Sequence, residues 1–454
     1  MSYLRYQHYK DSGIEWLGEV PKHWEVRRLK SFSHVFPSNV DKKSQDGETP
    51  VQLCNYTDVY YNEIISEDMG FMAATASNDQ IAKFTLRAGD TIITKDSETS
   101  DDIAISAYVP ADLPGVVCGY HLSMIRPMPG TDGAFVKRLF DSTYAKSCVA
   151  VRANGLTRVG LGQYEIDNLE FPFPPLPEQT QIAAFIDRET AKIDELLKAF
   201  NGLISLLKEK RQAVISHAVT KGLDPSVPMK DSGIEWLGQV PAHWEVKKVK
   251  NFAEILRGKF TQRPRNDPAF YDGDFPFIQT GDVTATKKYI TEFTQTLNER
   301  GIAVSKQFPK GTLVMTIAAN IGDVAVLDFP AYFPDSIVGL IPNEKSELMF
   351  LFYLMKAMRQ PLEMNATVST QMNLNIEQIG SLSAACPSVV EQKKIFEYLD
   401  LETEKIDQLT SQAEMAIELL NERRTALISA AVTGKIDVCG LVNVVEEEKI
   451  LETA

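Results

Sequence analysis

The run Lys10-Asp11-Ser12-Gly13-Ile14-Glu15-Trp16-Leu17-Gly18 returns unchanged as Lys230-Asp231-Ser232-Gly233-Ile234-Glu235-Trp236-Leu237-Gly238, and the match continues through Pro21/Pro241 and His23-Trp24-Glu25-Val26/His243-Trp244-Glu245-Val246. The copies lie 220 residues apart, a period too long for a solenoid, so the chain must fold as two domain-sized halves. A second shared element closes each half: Glu178-Gln179 matches Glu391-Gln392, Lys192-Ile193-Asp194 matches Lys405-Ile406-Asp407, and Arg211 matches Arg424, all 213 apart. The offset shrinks by seven between the two ends, so the intervening segments differ in length. Those middles, Asn39 to Arg152 and Gly258 to Asn365, share only faint echoes such as Gly89-Asp90-Thr91 beside Gly311-Thr312-Leu313. Such a chain acts at two related places whose contents differ.

The formal charge of −14 argues against indiscriminate coating of nucleic acid and leaves room for a local basic face. Five scattered cysteines without a C-x-x-C pair give neither a disulfide framework nor a zinc site, and fit a reducing cytoplasm. No apolar stretch is long enough to span a membrane, and Met1 to Lys10 lacks a signal-peptide core. A cytoplasmic location is expected.

The shared ends read as long helices. Ile186, Ile193, Phe200, Leu207 and Val214 recur every seven residues with Leu196 and Leu203 at intermediate positions; Leu399, Ile406, Leu420 and Leu427 repeat the pattern with Leu409, Ala413 and Ala416. Glu178 to Thr220 would span roughly 65 Å of helix at about 1.5 Å per residue. Two narrow-striped helices of equal length pack on each other, antiparallel if a pseudo-twofold axis relates the halves. The alternative is that each covers only its own domain. The middles read as mixed α/β: strands at Thr91-Thr94, Ile103-Ile105, Leu313-Thr316 and Val324-Leu327, and short apolar helices at Phe135 to Tyr144 and Leu348 to Met358. The fold class is α/β (α+β).

The repeated Trp-Leu-Gly…Val-Pro…His-Trp-Glu-Val openings and the helix entrances Pro175-Leu176-Pro177-Glu178-Gln179 and Pro387-Ser388-Val389-Val390-Glu391-Gln392 resemble the DNA-specificity (S) subunit of a type I restriction-modification system, over Ile14 to about Asp437. The second entrance departs by lacking the second proline. The resemblance implies a first target-recognition domain (1–175), a central conserved helix (176–222), a second target-recognition domain (223–388) and a C-terminal conserved helix (389–437); the acidic tail from Val438 (438–454), with Glu446-Glu447-Glu448, is expected to be mobile. It implies sequence-specific double-stranded DNA binding, each domain reading one half of a split asymmetric site, with the helices fixing the spacer. The implied partners are two modification subunits, which use S-adenosylmethionine to methylate adenine at N6, and restriction subunits that use ATP and Mg. No cofactor or metal is expected on this chain.

Basic residues broken by Gly and Pro mark Arg257, Lys259, Gln262, Arg263 and Arg265 as a loop suited to base edges or phosphates, against the plain alternative of a solvated charged loop. Gln279 and Thr280 follow, in a segment expected to begin a strand and turn, with Val51 to Asp58 as the first-half counterpart. Arg152, Thr157 and Arg158 align at the 213 offset with a loop holding Thr370 and Gln371, both polar and suited to DNA; Lys95 and Lys42-Lys43 are further phosphate candidates. Trp16, Trp24, Trp236 and Trp244 are candidate docking residues for two identical partners, or staples of each half's opening onto its neighbouring helix.

A self-contained catalyst finds no support. Gly258-Lys259 and Gly434-Lys435 lack the phosphate-wrapping context, no Asn/Asp-Pro-Pro-Tyr/Phe tetrapeptide occurs, and the histidines do not cluster. The remaining rival is a coiled-coil adaptor that binds protein rather than DNA.

Overall fold

The computed structural model describes residues 3–262, 264–318, 320–368 and 372–441. The chain forms two units that do not follow its linear order: Met1–Phe200 together with Met415–Ala454, and Asn201–Glu414. Each unit therefore owns part of both long helices, Leu176–Lys221 and Val389–Val432.

The repeated opening folds alike in both units because its residues specify one turn. Tyr9–Asp11 pairs antiparallel with Glu19–Pro21, as Met229–Asp231 does with Gln239–Pro241. Within the turn the Asp11 carboxylate accepts from the Gly13 amide at 2.9 Å and Asp231 from Gly233 at 3.0 Å, with both glycines at positive φ. The next segment, Glu25–Arg28, pairs with Glu170–Phe173, and Glu245–Lys248 with Ser383–Cys386. Each opening is thus sewn to the strand that precedes a long helix.

The middles, unalike as words, share a backbone scheme. In the first unit a four-stranded antiparallel sheet runs Ser33–Pro37, Leu122–Pro127, Thr91–Thr94, Ser106–Tyr108; in the second, Ala253–Arg257, Ile337–Pro342, Leu313–Thr316 and Val324–Leu327 lie in the same order, with Tyr289–Ile290 added at the edge. Matching hydrogen bonds identify equivalent residues. The Ser38 amide donates to the Leu122 carbonyl as Gly258 does to Ile337; Thr94 takes the Ile105 amide on its hydroxyl as Thr316 takes Asp323; the Leu161 amide donates to Lys95 as Leu374 does to Ile317. The faint echo is real: Gly89 and Gly311, both at positive φ, donate to Val109 and Leu327. The expected Ile103-Ile105 strand is instead a loop, because Ala104 takes φ +58° where its equivalent is Gly322 at +85°; the strand begins at Ser106. The helix expected from Phe135 to Tyr144 breaks at Ser142, whose hydroxyl caps a new helix at the Ala145 amide, leaving Gly133–Asp141 and Thr143–Arg152.

In the first unit Ile182 and Ile186 pack in one core with Ile428 and Val432, and Arg424 pairs with Asp194; in the second, Ile215 and Val219 pack with Ile395 and Leu399, and Arg211 pairs with Asp407. Within each unit the helices run antiparallel. Ile193, Leu207, Ile406, Ala413 and Leu427 are buried as the heptad row demands, but the intermediate Leu196, Leu203 and Leu409 are exposed. One row seals the pair, and the second row of a full coiled-coil seam is left on the surface.

After the first long helix, Gly222 turns under the second opening, where a Cβ would lie 3.2 Å from the Trp244 ring; after the second, Gly434 turns under the first, where a Cβ would lie 3.1 Å from the Trp24 ring. The Gly434 carbonyl accepts from the Tyr9 hydroxyl, and Asp437 bridges to Leu4. Val438, expected to begin a mobile tail, is buried in the first core, and the Leu441 carbonyl accepts from Arg188 at 2.7 Å. The rest of that tail lies outside the described residues.

Candidate nucleic-acid interface

In each unit two parallel strands end side by side, and the chain leaving them forms a corner. In the first unit Thr49–Cys54 runs beside Val116–Cys118, with Cys54 level with Cys118. Gly119 then passes so close that a Cβ would meet the Cys54 carbonyl at 2.7 Å. In the second unit Tyr271–Phe277 meets Ala331–Tyr332 at the Phe277/Tyr332 pair, and Gly258 is the close approach, a Cβ there falling 2.2 Å from the Pro334 carbonyl.

A capping box shapes both corners. The Asn55 backbone amide donates to the Asp58 carboxylate at 2.7 Å while the Asn55 carbonyl accepts from the Asp58 amide, opening the helix Tyr56–Tyr60. Gln279 and Asp282 do the same for Thr280–Ala285, with the same 2.7 Å bond. The Phe277 segment is therefore the end of a strand and the entrance to a helix rather than a strand's start.

Around the first corner the structure gathers several predicted residues. Lys95 donates to the Ser38 carbonyl at 2.8 Å and lies 4.6 Å over the Tyr120 ring; burial pushes its ammonium below the usual lysine value, with Asp96 opposing. Arg158 and His121 share Asp96, at 2.8 and 2.7 Å. Asp96–Ser97 pairs with Val159–Gly160, which brings the exposed Thr157 loop alongside. Arg152 is turned back onto the Cys148 carbonyl of its own helix at 2.9 Å and does not join the group.

At the second corner Lys259 is exposed, its amide donating to the Phe333 carbonyl, one residue beyond the Tyr332 carbonyl that receives the Ile278 amide. Gln279 donates to the Gln295 amide oxygen at 2.7 Å, Arg265 pairs with Asp335, and Arg257 donates to the Asp335 carbonyl at 2.7 Å. Lys259, Arg265, Gln279 and Thr280 thus converge, with Gln262 on the same loop. Arg263, Thr370 and Gln371 lie outside the described residues. The aromatic side of the first corner, Tyr120-His121, was not legible: the equivalent positions by hydrogen bonding hold Asp335-Ser336, so no shared word marks them.

Two of the four docking candidates must be corrected. Trp24 and Trp244 are buried, their indole nitrogens donating to Glu178 at 3.0 Å and Glu391 at 3.2 Å, so neither ring is offered to a partner. They are staples between opening and helix. Trp236 is half-buried and donates to the Ser383 carbonyl, whereas Trp16 is 57% exposed. In the second staple, burial raises the Glu391 carboxyl, but hydrogen bonds from His243, Ser388 and Trp244 outweigh it and hold the carboxyl at about 2, against an ordinary 4.5. A depressed carboxyl stabilises above its unfolded value and ceases to as pH falls toward its folded one. Urea midpoints should therefore drop between pH 5 and pH 2.5, and the drop should be smaller in Glu391→Gln; an equal drop would deny the staple its electrostatic share.

Among the described residues no helix is long and apolar enough to cross a membrane, and no group of three or more His, Cys, Asp or Glu side chains could hold a metal ion.

The family model of the type I restriction modification DNA specificity domain matches twice, over residues 21–204 and 241–419. A relative assigned by name to the type I restriction enzyme specificity subunits, MjaX of Methanocaldococcus jannaschii, is 24% identical over 444 residues, 95% of this chain and 98% of the relative. The EcoKI specificity subunit of Escherichia coli is 22% identical over 92% of this chain and 90% of its own. Among solved structures, a chain from work on complex assembly and conformational transition of the type I R-M system superposes with a TM-score of 0.70 at 17% identity, covering 91% of this chain and 98% of that one. The HsdS subunit of Thermoanaerobacter tengcongensis superposes at 0.54, also 17% identical, over 91% of this chain and 98% of its own. With both corners falling inside the two matched stretches, the chain belongs to the type I restriction-modification DNA specificity family and carries its recognition domain in duplicate.

Proposed function

We propose that each unit reads one half of a split, asymmetric DNA sequence through its corner, and that the paired helices set the spacer between the halves. The observation that carries this reading is one backbone corner presented twice with different side chains: Asn55, Tyr120, Lys95 and Arg158 in one, Gln279, Lys259 and Arg265 in the other. Equal scaffolds with unequal hydrogen-bonding sets suit unequal half-sites. Half-sites read from one face of a duplex lie about 10 bp apart, centre to centre.

The catalytic work belongs, in this reading, to partners: two modification subunits using S-adenosylmethionine to methylate adenine, and restriction subunits using ATP and Mg, with no cofactor on this chain. Exposed apolar side chains on the helices, Leu196, Met415 and Leu419 in the first unit and Leu203, Leu206 and Leu409 in the second, supply surface for the modification subunits. Glu in place of both Leu206 and Leu409 should abolish co-purification of the modification subunit with no loss in the chain's own melting temperature. Retained co-purification would move the docking surface elsewhere, Trp16 being the next choice.

Methylome sequencing of cells carrying this chain and its modification partner tests the whole reading. A split adenine-methylated motif is expected. Its absence beside an active partner would favour an adaptor that binds protein alone.

A further inference from the structure

The first corner encloses a cleft of about 240 Å³ whose lining is apolar at Leu53 and Met72, aromatic at Tyr56 and Tyr120, and polar at Asn55. Of its ionisable lining residues Asp41 and Lys42 cancel, and His121 is paired with Asp96. A phosphate needs a net positive cradle, which this lining does not provide; a flat, uncharged ring with polar edges suits apolar and aromatic walls. Asn55 is fixed in place as well: its backbone amide is tied to the Asp58 carboxylate and its carbonyl to the Asp58 amide, so its side-chain amide stands at a set point of the lining with NH2 donors to offer. Tyr120 is 52% exposed, with Lys95 over its ring, and Tyr56 stacks on Tyr60 at 5.5 Å, so the aromatic walls are braced before any ligand arrives.

Resting on the reading above, we infer that this cleft is the first unit's base-reading site: the Asn55 amide donates to an acceptor on the major-groove edge of one base, and the Tyr120 ring packs against that base or its neighbour. The acceptor edges available are those of guanine, of thymine O4 and of adenine N7. Asn55 is thus a specificity-determining residue, and Tyr120 a packing wall. The loop bearing Thr157 and Arg158, tied to the same corner through Asp96, is left to phosphates.

The test uses the full chain with its modification partner in cells, read by methylome sequencing. Asn55→Ser leaves the backbone bonds to Asp58 available and removes the amide donors. It should make one position of the first half-site degenerate, discrimination there falling about tenfold or more, with the second half-site unchanged. Tyr120→Ala should lower methylation across the first half-site. Retention of the second half-site also reports that the variants fold. An unchanged motif at full methylation in both variants would overturn the inference alone, as would Asn55→Ser weakening every position uniformly, the mark of a phosphate contact. No split motif from the unaltered chain would overturn the function reading, and this inference with it.

Discussion

Replacing residues 39–168 by the corresponding region of a relative with a different target should rewrite one half of the methylated motif and leave the other half and the spacer as they were. The exchanged segment carries the whole first corner, Asn55, Lys95, Tyr120 and Arg158 included, while the opening with its Trp24 staple and both long helices stay in place. Each mismatched base pair in a protein's DNA site costs about 1–3 kcal/mol, and separated positions add. Several altered positions therefore redirect the domain completely. Methylome sequencing reads the outcome directly, and a change in both halves would show that the two corners do not read independently.

Trp24→Ala should cost about 3–5 kcal/mol, the range for truncating a large buried aromatic side chain, whereas Trp16→Ala should fall within about 0.5 kcal/mol. Trp24 is fully buried in the first core. Its loss would also remove a donor to Glu178, which is held as well by Tyr6 at 2.6 Å and His23 at 2.8 Å. Tyr6 packs edge-on to the indole, so a cavity would open inside an aromatic cluster. Urea unfolding of the two variants beside the parent chain separates the roles. Equal midpoints for both would return Trp24 to the list of surface residues.

What was legible in the sequence follows from which interactions need particular side chains. The openings repeat word for word because an Asp-capped turn, two glycines at positive φ and an indole buried against a helix admit few alternatives. The long helices were legible from one heptad row, yet the row did not reveal that Leu196, Leu203 and Leu409 would stay on the surface. The middles were opaque because backbone hydrogen bonds hold them together, and an amide donates to a carbonyl whatever side chain it carries: Ser38 stands where Gly258 does, and Lys95 where Ile317 does. A letter persists where a side chain enters the scheme, as at Thr94 and Thr316, or where the turn needs positive φ, as at Gly89 and Gly311. Basic residues drew attention first at the corners, though Arg158 and Arg265 are each paired with a carboxylate. Asp58 and Asp282, each three residues after Asn55 and Gln279, were the better signal, because their carboxylates fix the backbone of the corner.

The meeting of Gly434 and Asp437 with Tyr9 and Leu4 reproduces without a covalent bond the passage that Gly222 makes by continuous chain into the second opening. Each opening is met by the end of a long helix in the same manner, the second through peptide bonds and the first through hydrogen bonds and packing alone.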